Sequence, residues 1–319
     1  MIKETFTFLS ANGKNQIYVK LWKPENKPIK GILQISHGMI EHIERYEEFA
    51  GFLADRGFIV VGNDHMGHGQ SVSSSDEWGY FAEQESSLKV VEDLHILTLK
   101  MKKMYPDTNY FVLGHSMGSF MIRRYLMTYG EEVDGAIIMG TGRQPFLKLI
   151  LGKLVLKITK AIYGEKHRSI FLDQLMFGNY NKRFSSNKKG KEWLTGDEKQ
   201  VQKYMNDPAC SFLFTINGIE TLLSTLTFIQ AKKNIRHLPK DIPMLMISGN
   251  EDPVGGYGKG VYQVFKTYQQ HGVKNIELKL CKGLRHEPLN EKNRYEVYEM
   301  LYTYLDKWQK MLALSKNVL

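Results

Sequence analysis

Ser116, Asp252 and His286 are the residues whose types and order along this chain suit nucleophilic acyl transfer. Ser116 sits in Gly114-His115-Ser116-Met117-Gly118, directly after the apolar run Tyr110-Phe111-Val112-Leu113. Beyond it the pattern turns helical, with Phe120, Met121, Tyr125, Leu126 and Tyr129 at three- and four-residue spacing. A serine on such a strand-to-helix turn presents its hydroxyl, and glycines at 114 and 118 leave room where side chains would strike strand or helix. The helix start also turns free backbone N–H groups toward any negative charge that develops there. The five residues alone are a weak signal; their setting makes them a nucleophile signature.

A nucleophilic serine needs a base, an acid to orient that base, and donors for the oxyanion. After such a turn the chain order is serine, acid, histidine. Ile242–Ile247 reads as a buried parallel strand running into Ser248-Gly249-Asn250-Glu251-Asp252-Pro253. Asp252, biased toward extended backbone by Pro253, is preferred as the acid over its neighbour Glu251. A further strand, Asn275–Leu280, leads into Cys281-Lys282-Gly283-Leu284-Arg285-His286-Glu287, which puts His286 on a loop within reach of Ser116. His271, just before Gly272, is more simply a helix-end residue. The oxyanion donors are expected from the loop after an earlier strand, Gly31–Ser36, where His37-Gly38 lets the chain turn so that the Met39 N–H faces Ser116. The Met117 N–H supplies the second donor.

These residues need a frame. Strands at Glu4–Leu9 and Gln16–Trp22, joined through Asn12-Gly13, start an antiparallel edge. Strands near Gly31–Ser36, Gly57–Gly62, Tyr110–Leu113 and Gly135–Met139 alternate with helices near Tyr46–Arg56, Ser86–Met104 and Ser116–Tyr129. That alternation predicts an α/β fold with a mostly parallel eight-stranded sheet flanked by helices. The strand rhythm stops from 144 to 238 and resumes at Ile242. The expected organisation is therefore a core of residues 1–143 and 239–319, with a helical cap inserted at 144–238 above the site.

His37-Gly38-Met39-Ile40-Glu41-His42 with Arg45-Tyr46 resembles the His-Gly-x-Gly-Glu-His…Arg-Tyr block of monoacylglycerol lipases and lysophospholipase-like α/β-hydrolases. Asp64-His65-Met66-Gly67-His68-Gly69-Gln70-Ser71 is similar to that family's second block, and the segments around Ser116, Asp252 and His286 follow in order. Ile40 stands where the family usually carries glycine. The resemblance implies an α/β-hydrolase fold, a helical cap and two-step acyl transfer. In it Ser116 is the nucleophile, His286 the base, Asp252 its orienting acid, and Met39 and Met117 the oxyanion donors. His37, Gly38, Glu41, Gly114, His115 and Gly118 are expected to support the oxyanion loop and the serine turn. That chemistry requires no metal and no organic cofactor. The implied substrates are monoacylglycerols or lysophospholipids, with a general carboxylesterase on short-chain or aromatic esters as the near alternative. A non-catalytic lipid-binding protein of the same fold is the remote one.

Composition agrees with this frame. At 319 residues and 42% hydrophobic, the chain can build one large core with an inserted subdomain. It shows no N-terminal apolar segment of signal-peptide type and no uninterrupted apolar run of about 18 residues, which argues against export and membrane spanning. Two distant cysteines, Cys210 and Cys281, fit a reduced cytoplasmic setting. The net charge of +9 belongs to the insertion, where 16 basic residues, Lys188 and Lys189 among them, face 7 acidic ones. Leu147, Ile150, Leu151, Leu154, Ile158 and Ile162 share one helical face there, with Lys153, Lys157 and Lys160 on another. Such a helix either packs on the core with a solvated lysine face or rests peripherally on an anionic lipid surface. No nucleic-acid-binding motif accompanies the charge. His65-x-x-His68 reads as a structural loop, and His37 and His42 read as loop supports rather than zinc ligands, because no neighbouring thiolate or carboxylate spacing completes a ligand set.

Overall fold

Residues whose side chains are apolar on both faces of a strand can only sit in the middle of a covered sheet. In the computed structural model, which describes residues 1–184 and 190–316, this happens at β3 (Gly31–Ser36), β4 (Phe58–Asn63), β5 (Tyr110–His115), β6 (Gly135–Met139) and β7 (Met244–Gly249). Every position of these five strands is buried. With the edge strands β1 (Ile2–Leu9), β2 (Gln16–Lys23) and β8 (Ile276–Cys281) they form one eight-stranded sheet in the order β1-β2-β4-β3-β5-β6-β7-β8. The pairs β1–β2 and β2–β4 are antiparallel, and the remaining pairs are parallel. This is the expected α/β architecture, with strand ends displaced by one or two residues.

Alternate residues of each strand feed two cores. Leu33, Ile35, Phe111, Leu113, Ile137 and Ile247 pack under α1 (Glu47–Ala54) and a C-terminal helix spanning Arg294–Lys316. Ile32, Val112, Ile138 and Met246 face α2 (Ser86–Met104), α3 (Met117–Tyr129) and a helix spanning Lys259–Gln270. The helix expected over Tyr46–Arg56 is preceded by a 3-10 turn, Ile43–Tyr46, whose Ile43 N–H donates to Asp64 Oδ1 at 2.8 Å. The parallel register pairs Ser36 with Gly114, His115 with Met139 and Gly249 with Cys281. The loops after β3, β5, β7 and β8 therefore emerge together at the sheet's carboxyl edge.

Between β6 and β7 the described residues form helices: α4 (Phe146–Tyr163), α5 (Ile170–Phe177), α6 (Glu198–Asn206), α7 (Ile216–Gln230) and α8 (Lys232–Ile235). The remaining two helices, after β7 and β8, become α9 and α10. Lys188 and Lys189 lie outside the described residues. The Thr215 hydroxyl caps α7 by accepting from Gly218 N–H at 3.1 Å. The α7 helix is buried along most of its length between α3 and α4, and its Asn217 carboxamide accepts from Phe81 N–H and donates to the Ala82 carbonyl. In α4 the inner contacts belong to Leu149 and Leu156. Leu147, Ile150, Leu151, Leu154, Ile158 and Ile162 instead face outward, 47–66% exposed. The apolar stripe is thus not the core face, and Phe146, Ile170 and Phe171 extend it across to α5. Among the described residues no helix is long and apolar enough to cross a membrane.

The tightest point of the fold lies where α3 meets β3. A Cβ added at Gly118 would stand 1.9 Å from the Ser36 carbonyl oxygen, and one at Gly114 would stand 2.4 Å from the Gly118 oxygen. Both neighbours are backbone, so nothing there yields cheaply. Gly118→Ala is expected to destabilise the protein by about 3 kcal/mol, read as a lowered urea midpoint at unchanged slope.

Candidate active site

Ser116 adopts φ 52°, ψ −120°, a backbone conformation that side-chain-bearing residues rarely take. Its backbone hydrogen bonds impose it. The Ser116 N–H donates to the Met139 carbonyl at 3.0 Å, while its own carbonyl accepts the Ser119 N–H at 2.9 Å and the Ser119 hydroxyl at 2.5 Å. Strain of about 1–3 kcal/mol is typical of such turns. Its consequence is that α3 begins at Met117, not at Ser116, and that the serine hydroxyl stands clear of both elements.

The structure brings the three distant residues into one line. His286 Nε2 is 2.8 Å from Ser116 Oγ, and His286 Nδ1 is 2.9 Å from Asp252 Oδ1. Ionised Asp252 only accepts, so Nδ1 carries the ring proton and Nε2 is free to take one from the serine. Asp252 is fully buried and receives Val254 N–H on Oδ1 at 2.8 Å and the Ser248 hydroxyl on Oδ2 at 3.1 Å. Glu251 is exposed, with its N–H on the Leu284 carbonyl, and plays no part in the line. His271 ends α9, its Nδ1 2.8 Å from the Thr267 carbonyl.

The loop after β3 is held from below by a buried ionic network. Glu41 accepts from Gly38 N–H, from the Tyr46 hydroxyl at 2.9 Å and from the Arg45 guanidinium. Arg45 reaches on to Glu287, next to the base, in a two-pronged pair at 2.9 and 2.7 Å. Burial alone would raise both carboxyls, but the Arg45 charge overrides it. Glu41 is held well below the usual carboxylate range and Glu287 below it. His115 Nδ1 lies 3.1 Å from Glu41 Oε1, and its Nε2 lies 3.0 Å from the His286 carbonyl. Both partners are acceptors, an arrangement that favours the doubly protonated ring. Burial opposes that charge, yet the Glu41 carboxylate wins and lifts His115 above its ordinary value.

Gly38 packs directly on the serine, since a Cβ there would come within 3.2 Å of Ser116 Cβ. Met39 and Met117 directly follow Gly38 and Ser116, the two residues of this contact. Ile40 sits at φ 55° with its side chain buried, a conformation natural to glycine. Its carbonyl is pinned by the Tyr204 hydroxyl of α6 at 2.9 Å. Beneath the loop, His37 Nδ1 donates to the Gly38 carbonyl at 2.8 Å and its Nε2 accepts His65 N–H at 2.9 Å. Burial keeps this histidine group neutral, pushing His65 down to about 3 and His68 to about 4. His65 and His68 are structural, as the loop reading expects, and His68 packs among Phe81, Phe212 and Phe214.

A family model described as "Serine aminopeptidase, S33" matches residues 27–293, a span that contains Ser116, Asp252 and His286. The chain belongs to this family. The "Monoglyceride lipase homolog" of Monkeypox virus is 26% identical over 302 residues, covering 92% of this chain and 93% of the relative. Human "Monoglyceride lipase" is 25% identical over 311 residues, covering 94% and 88%. Among solved structures, a thermostable carboxyl esterase from Bacillus coagulans in complex with glycerol superposes with a TM-score of 0.89 at 30% identity, over 97% of this chain and 99% of that one. The fold is that of an α/β-hydrolase. The family description names a peptidase and these relatives are named for esters, so within the S33 family the fold alone does not choose the substrate.

Several residues at this S33-family site escaped sequence reasoning. Arg45 and Glu287 pair across 242 positions, and only their places in short motifs hinted at a role. Trp193, from the insertion, packs against His286 with ring centres 5.0 Å apart and planes tilted by 36°. No periodicity or spacing announces that contact. The network's two kinds of ionisable group give it opposite pH limits. The lowered carboxyls stabilise the fold above their ordinary value of 4.5 and lose that contribution as pH falls through their folded values. Raised His115 contributes below its ordinary 6.5 and loses that as pH rises through its folded value. Glu287→Gln should cost about 3 kcal/mol at pH 7 by leaving Arg45 underpaired. In urea titrations the gap to wild type should narrow progressively below pH 4.5.

Proposed function

We propose that this chain hydrolyses carboxylic esters of lipids, monoacylglycerols or lysophospholipids foremost, through an acyl-enzyme on Ser116. The observation that carries the reading is the unbroken line from Ser116 Oγ through His286 to buried Asp252, at 2.8 and 2.9 Å. It stands in a chain whose relatives are named monoglyceride lipases and carboxyl esterase. Ser116 Oγ attacks the ester carbonyl as His286 Nε2 takes its proton, and Asp252 holds the imidazole tautomer and steadies the imidazolium. The carbonyl oxygen becomes an oxyanion that the backbone N–H groups of Met39 and Met117 receive, each worth roughly 3 kcal/mol. The N-terminus of α3 favours the same charge. His286 then returns its proton to the leaving alcohol and activates water to clear the acyl group.

In this reading residues 144–238 act as a cap over the core of 1–143 and 239–319, and the acyl chain lies beneath it. The outward stripe of α4 and α5, with Lys148, Lys153 and Lys157 beside it, is the composition of a surface that rests peripherally on anionic lipid. A lipid bilayer is a natural source of the proposed substrates, so such docking brings site and substrate together.

Hydrolysis of p-nitrophenyl esters from acetate to palmitate tests the reaction. Ser116→Ala should abolish turnover in a folded protein, and Asp252→Asn should lower kcat on the order of 10³–10⁴-fold. A rate optimum at medium or long chains fits the lipid reading, whereas an optimum at acetate or butyrate makes the protein a general carboxylesterase. For the surface, wild type should co-sediment with phosphatidylglycerol vesicles at low salt and the double variant Ile150→Glu/Leu154→Glu should not. Equal binding by both would remove the membrane role.

A further inference from the structure

His42 ends the loop after β3, and its imidazole reaches across to the insertion, where Nε2 lies 2.8 Å from Asp207 Oδ2. Asp207 caps a 3-10 turn, Pro208–Cys210, with its other oxygen accepting Ala209 N–H at 2.9 Å. Cys210 closes that turn, its N–H donating to the Asp207 carbonyl at 2.9 Å. As a result an imidazole nitrogen, a carboxylate oxygen and a thiol sulfur all lie within 4.8 Å of one another. We propose that His42, Asp207 and Cys210 form a binding site for a divalent transition metal of the zinc type, bridging the insertion to the loop that carries Met39. Sequence spacing cannot announce this set, because His42 and Asp207 are separated by 165 positions.

The donor set suits zinc, which accepts nitrogen, oxygen and sulfur together and tolerates three protein ligands plus a solvent ligand. Ligand bonds of about 2.0–2.3 Å require the three donor atoms to stand about 3.5 Å apart. His42 and Asp207 separate slightly to reach that spacing, and the Cys210 thiol swings inward by about 1 Å, a side-chain adjustment. An open cleft of about 810 Å³, lined by His42, Asp207, Glu44 and Lys203 among others, gives entry and room for the solvent ligand. One carboxylate and one thiolate balance the ion's two charges. Arg45 and Lys191 are the nearby opposing charges; Arg45 is already neutralised by Glu41 and Glu287, and Lys191 turns its ammonium over the Tyr204 ring at 5.8 Å. The Cys210 thiol is buried and protonated, so binding forms the sulfur–metal bond and releases the thiol proton to solvent. His42 gives Nε2 to the metal and keeps its ring proton on Nδ1. The ion would tie the turn after α6 to the oxyanion loop, beside the existing Tyr204–Ile40 bond.

The test uses the full chain freed of metal by a chelator and titrated with Co²⁺, then with Zn²⁺ in competition. One saturable site per chain is expected, with a thiolate-to-cobalt charge-transfer band that Zn²⁺ abolishes. Cys210→Ser should lose the band, and Asp207→Asn and His42→Gln should weaken Zn²⁺ binding by more than about 100-fold, beyond the loss expected for an outer-shell change. Circular dichroism verifies that each variant is folded, and the three substitutions read the site independently. The proposal is overturned if wild type shows no saturable band, if the band persists in Cys210→Ser through Cys281, or if Zn²⁺ affinity is unchanged in Asp207→Asn. None of these readouts depends on ester turnover, so the metal site and the hydrolase reading stand or fall separately.

Discussion

The guanidinium of Arg45, sealed between Glu41 and Glu287, is the interaction on which the arrangement of the site rests. A buried charge without partners costs several kcal/mol, so this one can exist only while both carboxylates face it. Glu41 belongs to the loop after β3 and fixes the Gly38 N–H, while Glu287 directly follows His286. The loop after β3 and the loop bearing His286 are therefore clamped to one cation instead of being positioned separately. His115 repeats the link, from Glu41 to the His286 carbonyl. The Tyr204 ring, 4.8 Å from the guanidinium, closes the assembly from the insertion's side. Rigidity of this kind lets dipoles meet developing charge without reorganising.

Two residues of the site carry backbone strain. Ser116 and Ile40 both sit at positive φ although neither is glycine. Each is over-determined by its surroundings: Ser116 by Met139 and Ser119, Ile40 by burial and by the Tyr204 hydroxyl. Strain at the serine exposes the hydroxyl, which gives it a chemical use. At Ile40, where the family resemblance leads one to expect glycine, the same backbone path survives the extra side chain because α6 holds the carbonyl in place. The insertion thus contributes to the loop's conformation through Tyr204.

What the chain's residues disclose by themselves divides along a physical line. The central strands are legible because burial on both faces leaves uninterrupted apolar runs such as Phe58–Val61 and Gly135–Met139. The serine turn is legible because only glycine fits the backbone approaches at 114 and 118. Choosing Asp252 over Glu251 needed one local fact, the proline that follows; the fold adds the hydrogen bonds that make the choice concrete. Contacts made by loops leave no such trace. Arg45 with Glu287, Trp193 with His286 and His42 with Asp207 all join segments whose approach depends on the whole sheet. The α4 stripe shows a different limit: an amphipathic pattern identifies an apolar face without saying what medium it meets, and here that face points away from the core.

Residues 192–196 of the insertion are sewn to the base loop. The Glu287 N–H donates to the Leu194 carbonyl at 2.7 Å, and Arg285 reaches the carbonyls of Glu192 and Thr195. The Thr195 hydroxyl meets the Asn290 carbonyl, and the Gly196 N–H meets Glu291. By contrast α4 touches the body chiefly through α7. Force applied to the insertion would consequently not be shared evenly: a pull on the segment from 192 onward passes straight to the loop that bears His286, whereas one on α4 is taken up first by α7.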